Sequence, residues 1–218
     1  MRIAIYTLGC KVNQYETQAM ERELRSRGHR LVPFGEPCDA AVINTCTVTA
    51  VSDHKGRQAI RRALRGGGVV AVCGCYAQTD PAAVEALGVD LVSGTGDHMA
   101  FLDKLEELVA SRRAEPVVQV DAVMGRRVFE ELPAGGLATR TRAMLKVEDG
   151  CVNFCTYCII PYARGPIRSL GIEQAAAEAE RLAAEGYREI VLTGIEISSW
   201  GRDLKNGRSL IDLIEEFF

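Results

Sequence analysis

The sequence predicts an α/β protein of two domains, a parallel sheet followed by the start of a second βα unit. Three observations carry that expectation. Short apolar runs recur at residues 3–7, 40–45, 69–74 and 89–94 with helical patterns between them, the rhythm of βαβ units whose strands are buried on both faces. The rhythm then lapses in a segment carrying Pro116, Pro133 and the pair Gly135–Gly136, and resumes near residue 143. The composition, 47% hydrophobic with 21 Gly, 7 Pro and only 6% aromatics, suits short loops between strands and helices better than a β-sandwich. The expected divisions are residues 1–115, a connector over 116–142, and a second domain over 143–218.

Each element has its own justification. "IAIYT" (3–7) reads as a buried strand, and the pattern over 14–27 as a helix that Gly28 ends. "AAVINT" (40–45), "VVAVCG" (69–74) and "VDLVSG" (89–94) supply further strands. Helices are expected over 53–65, briefly after Pro81, and over 97–113. In the second domain "AMLKVEDG" (143–150) is a strand that runs into a cysteine loop. "IEQAAAEAERLAAEG" (172–186) is a helix and "EIVLTG" (189–194) a strand, so a right-handed crossover makes the two strands parallel neighbours. "LIDLIEEFF" is an amphipathic helix. Two strands do not make a self-sufficient sheet, so this domain is expected to be cut short.

A net charge of -3 and pI near 5.7 supply no global reason to expect nucleic-acid binding, so that case rests on local clusters. The N-terminus "MRIAIYTLGCK" is too short an apolar run for an export signal, and no stretch approaches the ~20 apolar residues of a membrane span. A cytoplasmic, reducing location is therefore expected, where eight cysteines favour metal over disulfides.

Cys151, Cys155 and Cys158 fall within eight residues in "GCVNFCTYCIIP". No later cysteine exists to close a four-ligand zinc site. Three thiolates on a four-iron cubane leave one iron open, and the loop leaves the C-terminal end of a strand, where α/β folds place ligands. Cys10, Cys46 and Cys75 each follow a predicted parallel strand, so they can converge at one edge of the first sheet as a second trio one ligand short. Cys73 shares a strand face with Cys75 but lies inside an apolar run and reads as a small buried residue. Cys38 reads as a surface thiol, and His54 and His98 as helix-start residues.

The CxxxCxxC spacing, with Tyr157 before its last cysteine, resembles the signature of radical S-adenosylmethionine (SAM) enzymes. "TLGCKVNQYET", "VINTCTVT" and "GCYAQ" resemble the N-terminal domain of the methylthiotransferases within that superfamily, and together with "GCVNFCTYCIIPYARG" they look most like the branch acting on threonylcarbamoyladenosine in tRNA. The resemblance implies a flavodoxin- or Rossmann-like first domain and the first part of a radical SAM (β/α) partial barrel, with an RNA-binding TRAM domain expected further on. It implies two [4Fe-4S] clusters, an auxiliary one on Cys10, Cys46 and Cys75 and one on Cys151, Cys155 and Cys158 that cleaves SAM to a radical. It also implies tRNA as substrate, an electron donor such as flavodoxin or ferredoxin, and cofactor contacts at Tyr157 and at Gly194 in "LTGIE". The sister reactions on isopentenyladenosine or on a ribosomal-protein aspartate are alternatives, as is a non-catalytic iron–sulfur or RNA-binding module. By itself the chain is expected to be inactive.

Basic residues mark candidate RNA contacts. Arg57, Arg61 and Arg65 recur every four residues along the helix after Cys46, and Arg140, Arg142, Arg164 and Arg168 flank the second cysteine loop.

Overall fold

The computed structural model describes residues 1–111, 115–133, 135 and 142–217. The chain divides into two units, Met1–Ala122 and Val123–Phe218, each described by itself.

The first unit is a six-stranded, all-parallel sheet. In chain order it comprises β1 (Arg2–Thr7), α1 (Lys11–Ser26), β2 (Arg30–Val32), β3 (Ala40–Thr45), α2 (Ala50–Leu64), β4 (Val69–Gly74), α3 (Cys75–Thr79), α4 (Pro81–Glu85), β5 (Leu91–Ser93), α5 (His98–Ser111) and β6 (Val117–Gln119). The strand order is β2-β1-β3-β4-β5-β6, the flavodoxin-like winding extended by one strand. Alternation along the central strands sends side chains to two cores. Ala40, Val42, Ala71 and Cys73 pack with Met20 and Leu24 of α1 and Phe101, Leu102 and Leu105 of α5. Ala41, Ile43, Val70 and Val72 pack with Ala59, Ile60 and Ala63 of α2 and with Tyr76 and Val84 on the opposite face. All six residues of β3 are buried, as expected of a strand covered on both sides.

Two strands differ from the sequence expectation. β2 is three residues long and pairs with β1 in the register Arg2↔Arg30 to Ala4↔Val32. β6 lies inside the segment read as a connector, because Val117 and Val118 pair with Leu91 and Val92 to extend the sheet.

The second unit contains β7 (Arg142–Lys146), β8 (Glu148–Asp149), α6 (Ile160–Arg164), β9 (Arg168–Ser169), α7 (Ile172–Ala184), β10 (Glu189–Thr193) and α8 (Leu210–Glu215). β7 and β10 are parallel neighbours from Arg142↔Glu189 to Lys146↔Thr193, as the crossover rule requires. β8 and β9 form a short antiparallel pair, Glu148↔Ser169 and Asp149↔Arg168, which closes the base of the loop bearing the three cysteines. Trp200, 2% exposed, donates its indole N–H to the Leu170 carbonyl at 3.0 Å, and Asp203 accepts from the Ser169 amide (2.9 Å) and hydroxyl (2.6 Å). These contacts pin the segment after β10 onto the strand that follows the loop.

Candidate functional site

In a sheet wound β2-β1-β3, the connections from β1 and β3 leave in opposite directions, and the crevice beyond their C-terminal ends is where such folds bind ligands. Cys10 and Cys46 stand at those two ends, and Cys75 opens α3 at the end of the next strand, β4. The topology therefore brings the first trio onto three adjacent strand ends, spaced about 4.8 Å per strand. Cys46 and Cys75 are buried and Cys10 is exposed.

A buried polar bracket sets this edge. The Cys10 thiol donates to Asn13 Oδ1 at 3.3 Å. Asn13 Nδ2 donates to Asn44 Oδ1 (3.1 Å) and to the Thr45 carbonyl (2.8 Å), and Asn44 Nδ2 returns a bond to the Asn13 carbonyl at 3.1 Å. Thr45 Oγ1 donates to the Cys73 carbonyl at 2.6 Å, tying β3 to β4 beneath Cys75. Gly74 completes the turn into α3 at φ 93°, where a Cβ would sit 2.4 Å from the Thr45 carbonyl oxygen. These residues lie in the quoted motifs "KVNQ", "VINT" and "CGC", but their role as a brace beneath the thiols requires contacts between strands.

The second trio sits on the loop clamped by β8 and β9. The Cys151 amide donates to the Gly165 carbonyl and the Cys158 amide to the Cys155 carbonyl, both at 2.9 Å. Cys151 is buried, Cys158 half-buried and Cys155 exposed. Gly150 turns into the loop at φ 90°, with no room for a Cβ beside the Pro166 carbonyl. Phe154 takes φ 44°, unusual for a non-glycine residue, and packs edge-on against Tyr162 with ring centres 5.9 Å apart. Tyr157 is 91% exposed, so in this structure it covers nothing.

Both donor sets are three soft thiolates, which suit iron–sulfur chemistry better than a hard cation. Among the described residues no three His, Cys, Asp or Glu side chains gather as ligands of one metal ion. A single ion draws thiolates to about 2.3 Å from one point, whereas on a cubane each thiolate takes a different iron and the trio stands wider. By donor type, three thiols in each set, the residues present suit such a cluster.

Beside the second trio lies a buried charged cluster that the sequence reading missed. Asp149 contacts Lys146 at 3.3 Å, Arg168 at 3.4 Å and Arg164 at 3.6 Å, all with side chains no more than 5% exposed. Burial pushes the Asp149 carboxyl up, but Lys146, Arg164 and Arg168 together outweigh it and hold the group well below the usual carboxylate range. The assignment of Arg164 and Arg168 to RNA is thereby corrected. Both guanidiniums are spent inside the domain, and Arg168 also donates to the Arg164 carbonyl at 2.9 Å. Arg142 is exposed, 3.6 Å from Glu189. Arg140 lies outside the described residues.

Glu148 is buried next to this cluster, and its Oε2 accepts from the Glu196 amide at 2.8 Å. Burial pushes its carboxyl up to about 8, against the opposing bonds from the Glu196 and Ile195 amides. Gly194 faces it: a Cβ there would lie 2.6 Å from Glu148 Oε2, so a larger residue at this position would have to displace the buried carboxyl. Because folded Glu148 keeps its proton up to about pH 8 while the unfolded chain releases it near 4.5, the folded state binds more protons over that interval and loses stability as pH rises through it. Unfolding followed by Trp200 fluorescence is expected to show that decline, at most about 1.4 kcal/mol per pH unit, and Glu148→Gln to flatten it. An unchanged profile in the variant would assign the slope to other groups.

The remaining residues divide. Cys73 is 1% exposed in the core, as expected. Cys38 is half-buried rather than a surface thiol, and burial raises its pKa. His54 is exposed and bonds Gln58 at 2.9 Å. His98 does start a helix, but it is buried 3.8 Å from the buried Glu16. The arginine stripe splits. Arg57 turns to Tyr76, with its guanidinium 5.9 Å from the ring centre, while Arg61 and Arg65 line a groove with Tyr6 and Phe34.

Comparison with known proteins follows the same two-part division. Residues 2–94 match the uncharacterized protein family UPF0004, and residues 145–216 match the radical SAM superfamily. Among curated relatives, a threonylcarbamoyladenosine tRNA methylthiotransferase MtaB from Bacillus subtilis is 47% identical over 94% of this chain and 46% of its own length. The protein of that name from Aquifex aeolicus is 38% identical over 99% of this chain and 52% of its own. A tRNA-2-methylthio-N(6)-dimethylallyladenosine synthase from Thermotoga petrophila is 33% identical over 99% and 48%. The chain thus spans about half the length of the curated relatives it matches. Among solved structures, the radical SAM methyltransferase TsrM from Kitasatospora setae, with tryptophan substrate and a SAM analogue bound, superposes with a TM-score of 0.61 over 99% of this chain and 50% of that one. At 17% identity this likeness speaks to fold alone. The chain thus carries a UPF0004 match leading into a radical SAM match, and over nearly its whole length it is similar to the methylthiotransferases and the synthase named above.

Proposed function

We propose that this chain acts within a methylthiotransferase that places a methylthio group on C2 of N6-threonylcarbamoyladenosine at position 37 of tRNA. The observation that carries the proposal is the pairing of two cysteine trios, one at the ends of three adjacent parallel strands and one on the loop that β8 and β9 clamp, in a chain whose relatives bear that activity in their names. Cys151, Cys155 and Cys158 would hold one [4Fe-4S] cluster and Cys10, Cys46 and Cys75 a second. Bound there, the clusters and SAM supply the radical and sulfur chemistry, which no amino-acid side chain provides.

The chain's own part is placement. The Asn13–Asn44–Thr45 bracket holds the first three strand ends in fixed relation, and the β8–β9 clamp holds the second loop at its base. Buried Lys146, Arg164 and Arg168 converge on Asp149, two residues before Cys151, and so fix the stem of that loop. The proposal includes a small electron carrier of the flavodoxin or ferredoxin class as reductant, and a cytoplasmic setting. Among the described residues no helix is long and apolar enough to cross a membrane.

Mass spectrometry of nucleosides from a strain lacking the gene tests the assignment. The methylthio form of threonylcarbamoyladenosine should vanish, its unthiolated precursor accumulate, and the gene restore both. Persistence of the methylthio form overturns the proposal, and loss of methylthio-isopentenyladenosine instead transfers the chain to the sister reaction.

A further inference from the structure

The groove on the first unit holds features that neither trio uses. It encloses about 640 Å³ between α2 and the C-terminal end of β1, and its walls include Tyr6, Phe34, Lys55, Arg61, Arg62 and Arg65. We propose that this groove binds one nucleotide of the RNA substrate, its base against the Tyr6–Phe34–Arg62 stack and its phosphates among Lys55, Arg61 and Arg65. The inference rests on the tRNA reading above and deepens it by naming where this domain contacts the strand.

Charge is the first argument. Four cations share one groove on a chain whose net charge is -3. Elsewhere on this unit Arg27 is matched with Glu23, Asp103 and Glu106, Lys104 with Glu107, and Arg2 with Glu36, while Lys11, Arg25 and Arg30, unmatched among the described residues, lie outside this groove. Among the described residues Lys55, Arg61 and Arg65 make no ion pair or hydrogen bond, and Arg62 binds only the Phe34 carbonyl oxygen, at 3.4 Å, and the Phe34 ring, at 5.3 Å. Cations gathered without acids repel one another, and a polyanion relieves that repulsion.

Shape is the second. The Tyr6 and Phe34 rings lie 4.7 Å apart at 31°, with one side against the core and the other on the groove. An aromatic ring beside a guanidinium plane is a stacking platform for an unpaired base. Gly35, at φ 100°, keeps the loop thin where Arg62 crosses it, since a Cβ there would lie 2.2 Å from the guanidinium. Leu8, also in the groove wall, is two residues from Cys10, so a nucleotide held here lies beside the strand end that carries the first trio. A solvated basic face needs no ring platform, and a plain hydrophobic groove needs no row of unmatched cations.

The test is fluorescence anisotropy of a labelled anticodon stem-loop RNA with the 218-residue chain, over a range of salt concentrations. The triple variant Lys55→Ala, Arg61→Ala, Arg65→Ala removes exposed side chains only, so its fold is preserved. It should bind at least about tenfold more weakly at low salt, and its log–log salt slope should fall by about 2, near 0.7 per lost phosphate contact. Phe34→Leu should lose about fivefold or more in affinity with the slope unchanged, the mark of lost stacking. Excess AMP or inorganic phosphate should compete only weakly, because neither offers linked phosphates together with a base stack. If wild type binds RNA and the triple variant matches it in affinity and slope, the groove assignment falls while the tRNA reading stands. If AMP displaces the RNA at equal concentration, the groove is a free-nucleotide site instead. A wild-type chain that binds no RNA overturns the groove assignment, and the nucleoside analysis above then decides the tRNA reading separately.

Discussion

Changing Cys10, Cys46 and Cys75 together to alanine is expected to remove about half of the iron and sulfide from anaerobically reconstituted protein and to leave the remainder on Cys151, Cys155 and Cys158. The structure separates the two sets, because each trio lies within its own unit. Cys46 and Cys75 are buried but small, so their loss leaves only minor voids, and the Asn13–Asn44 bonds that shape the edge persist without them. The complementary triple change at Cys151, Cys155 and Cys158 should remove the other half and abolish any SAM cleavage. Iron and acid-labile sulfide assays on wild type and the two variants decide the matter. Iron unaltered by the first triple change would refute the auxiliary assignment.

Asp149→Ala is expected to be the most damaging single substitution in the second unit, at about 3–5 kcal/mol. It removes the carboxylate that Lys146, Arg164 and Arg168 share in a site no more than 5% exposed, and stranding buried cations costs far more than an exposed pair is worth. Because the three cations hold the Asp149 carboxyl below its unfolded value, its stabilisation is present above the ordinary carboxylate range. It is lost as pH falls below that range. Trp200 is the sole tryptophan and is buried in the same unit, so urea unfolding read by its fluorescence reports this domain. A midpoint unchanged in the variant would show that the cations find other partners.

The fold was legible where residues are buried on two faces. "AAVINT" and "VVAVCG" are almost wholly apolar because both sides of β3 and β4 meet helices, and no alternating pattern competes with that reading. β2 and β6 escaped because three-residue edge strands have little apolar content to show: Arg30 is exposed, as is Gln119. Which cysteines share an edge was legible because each directly follows a strand, and parallel strands end on the same side. What the trios rest upon was not. Asn13 and Asn44 meet only once β1 and β3 pair, and nothing in "KVEDG" announces that its two acids lie in the interior. Arg164 and Arg168 misled for the same reason, since a guanidinium looks alike in sequence whether it faces solvent or a buried aspartate.

Each trio is unevenly shielded: Cys10 is exposed beside buried Cys46 and Cys75, and Cys155 is exposed beside buried Cys151. Thiol oxidation and alkylation follow access to solvent. An oxidant reaching the chain before its clusters are loaded therefore meets one outlying sulfur per trio while the inner ones stay sheltered. Early injury should be a lesion at a rim, which thiol reductants can still reverse if it stops at the sulfenic stage.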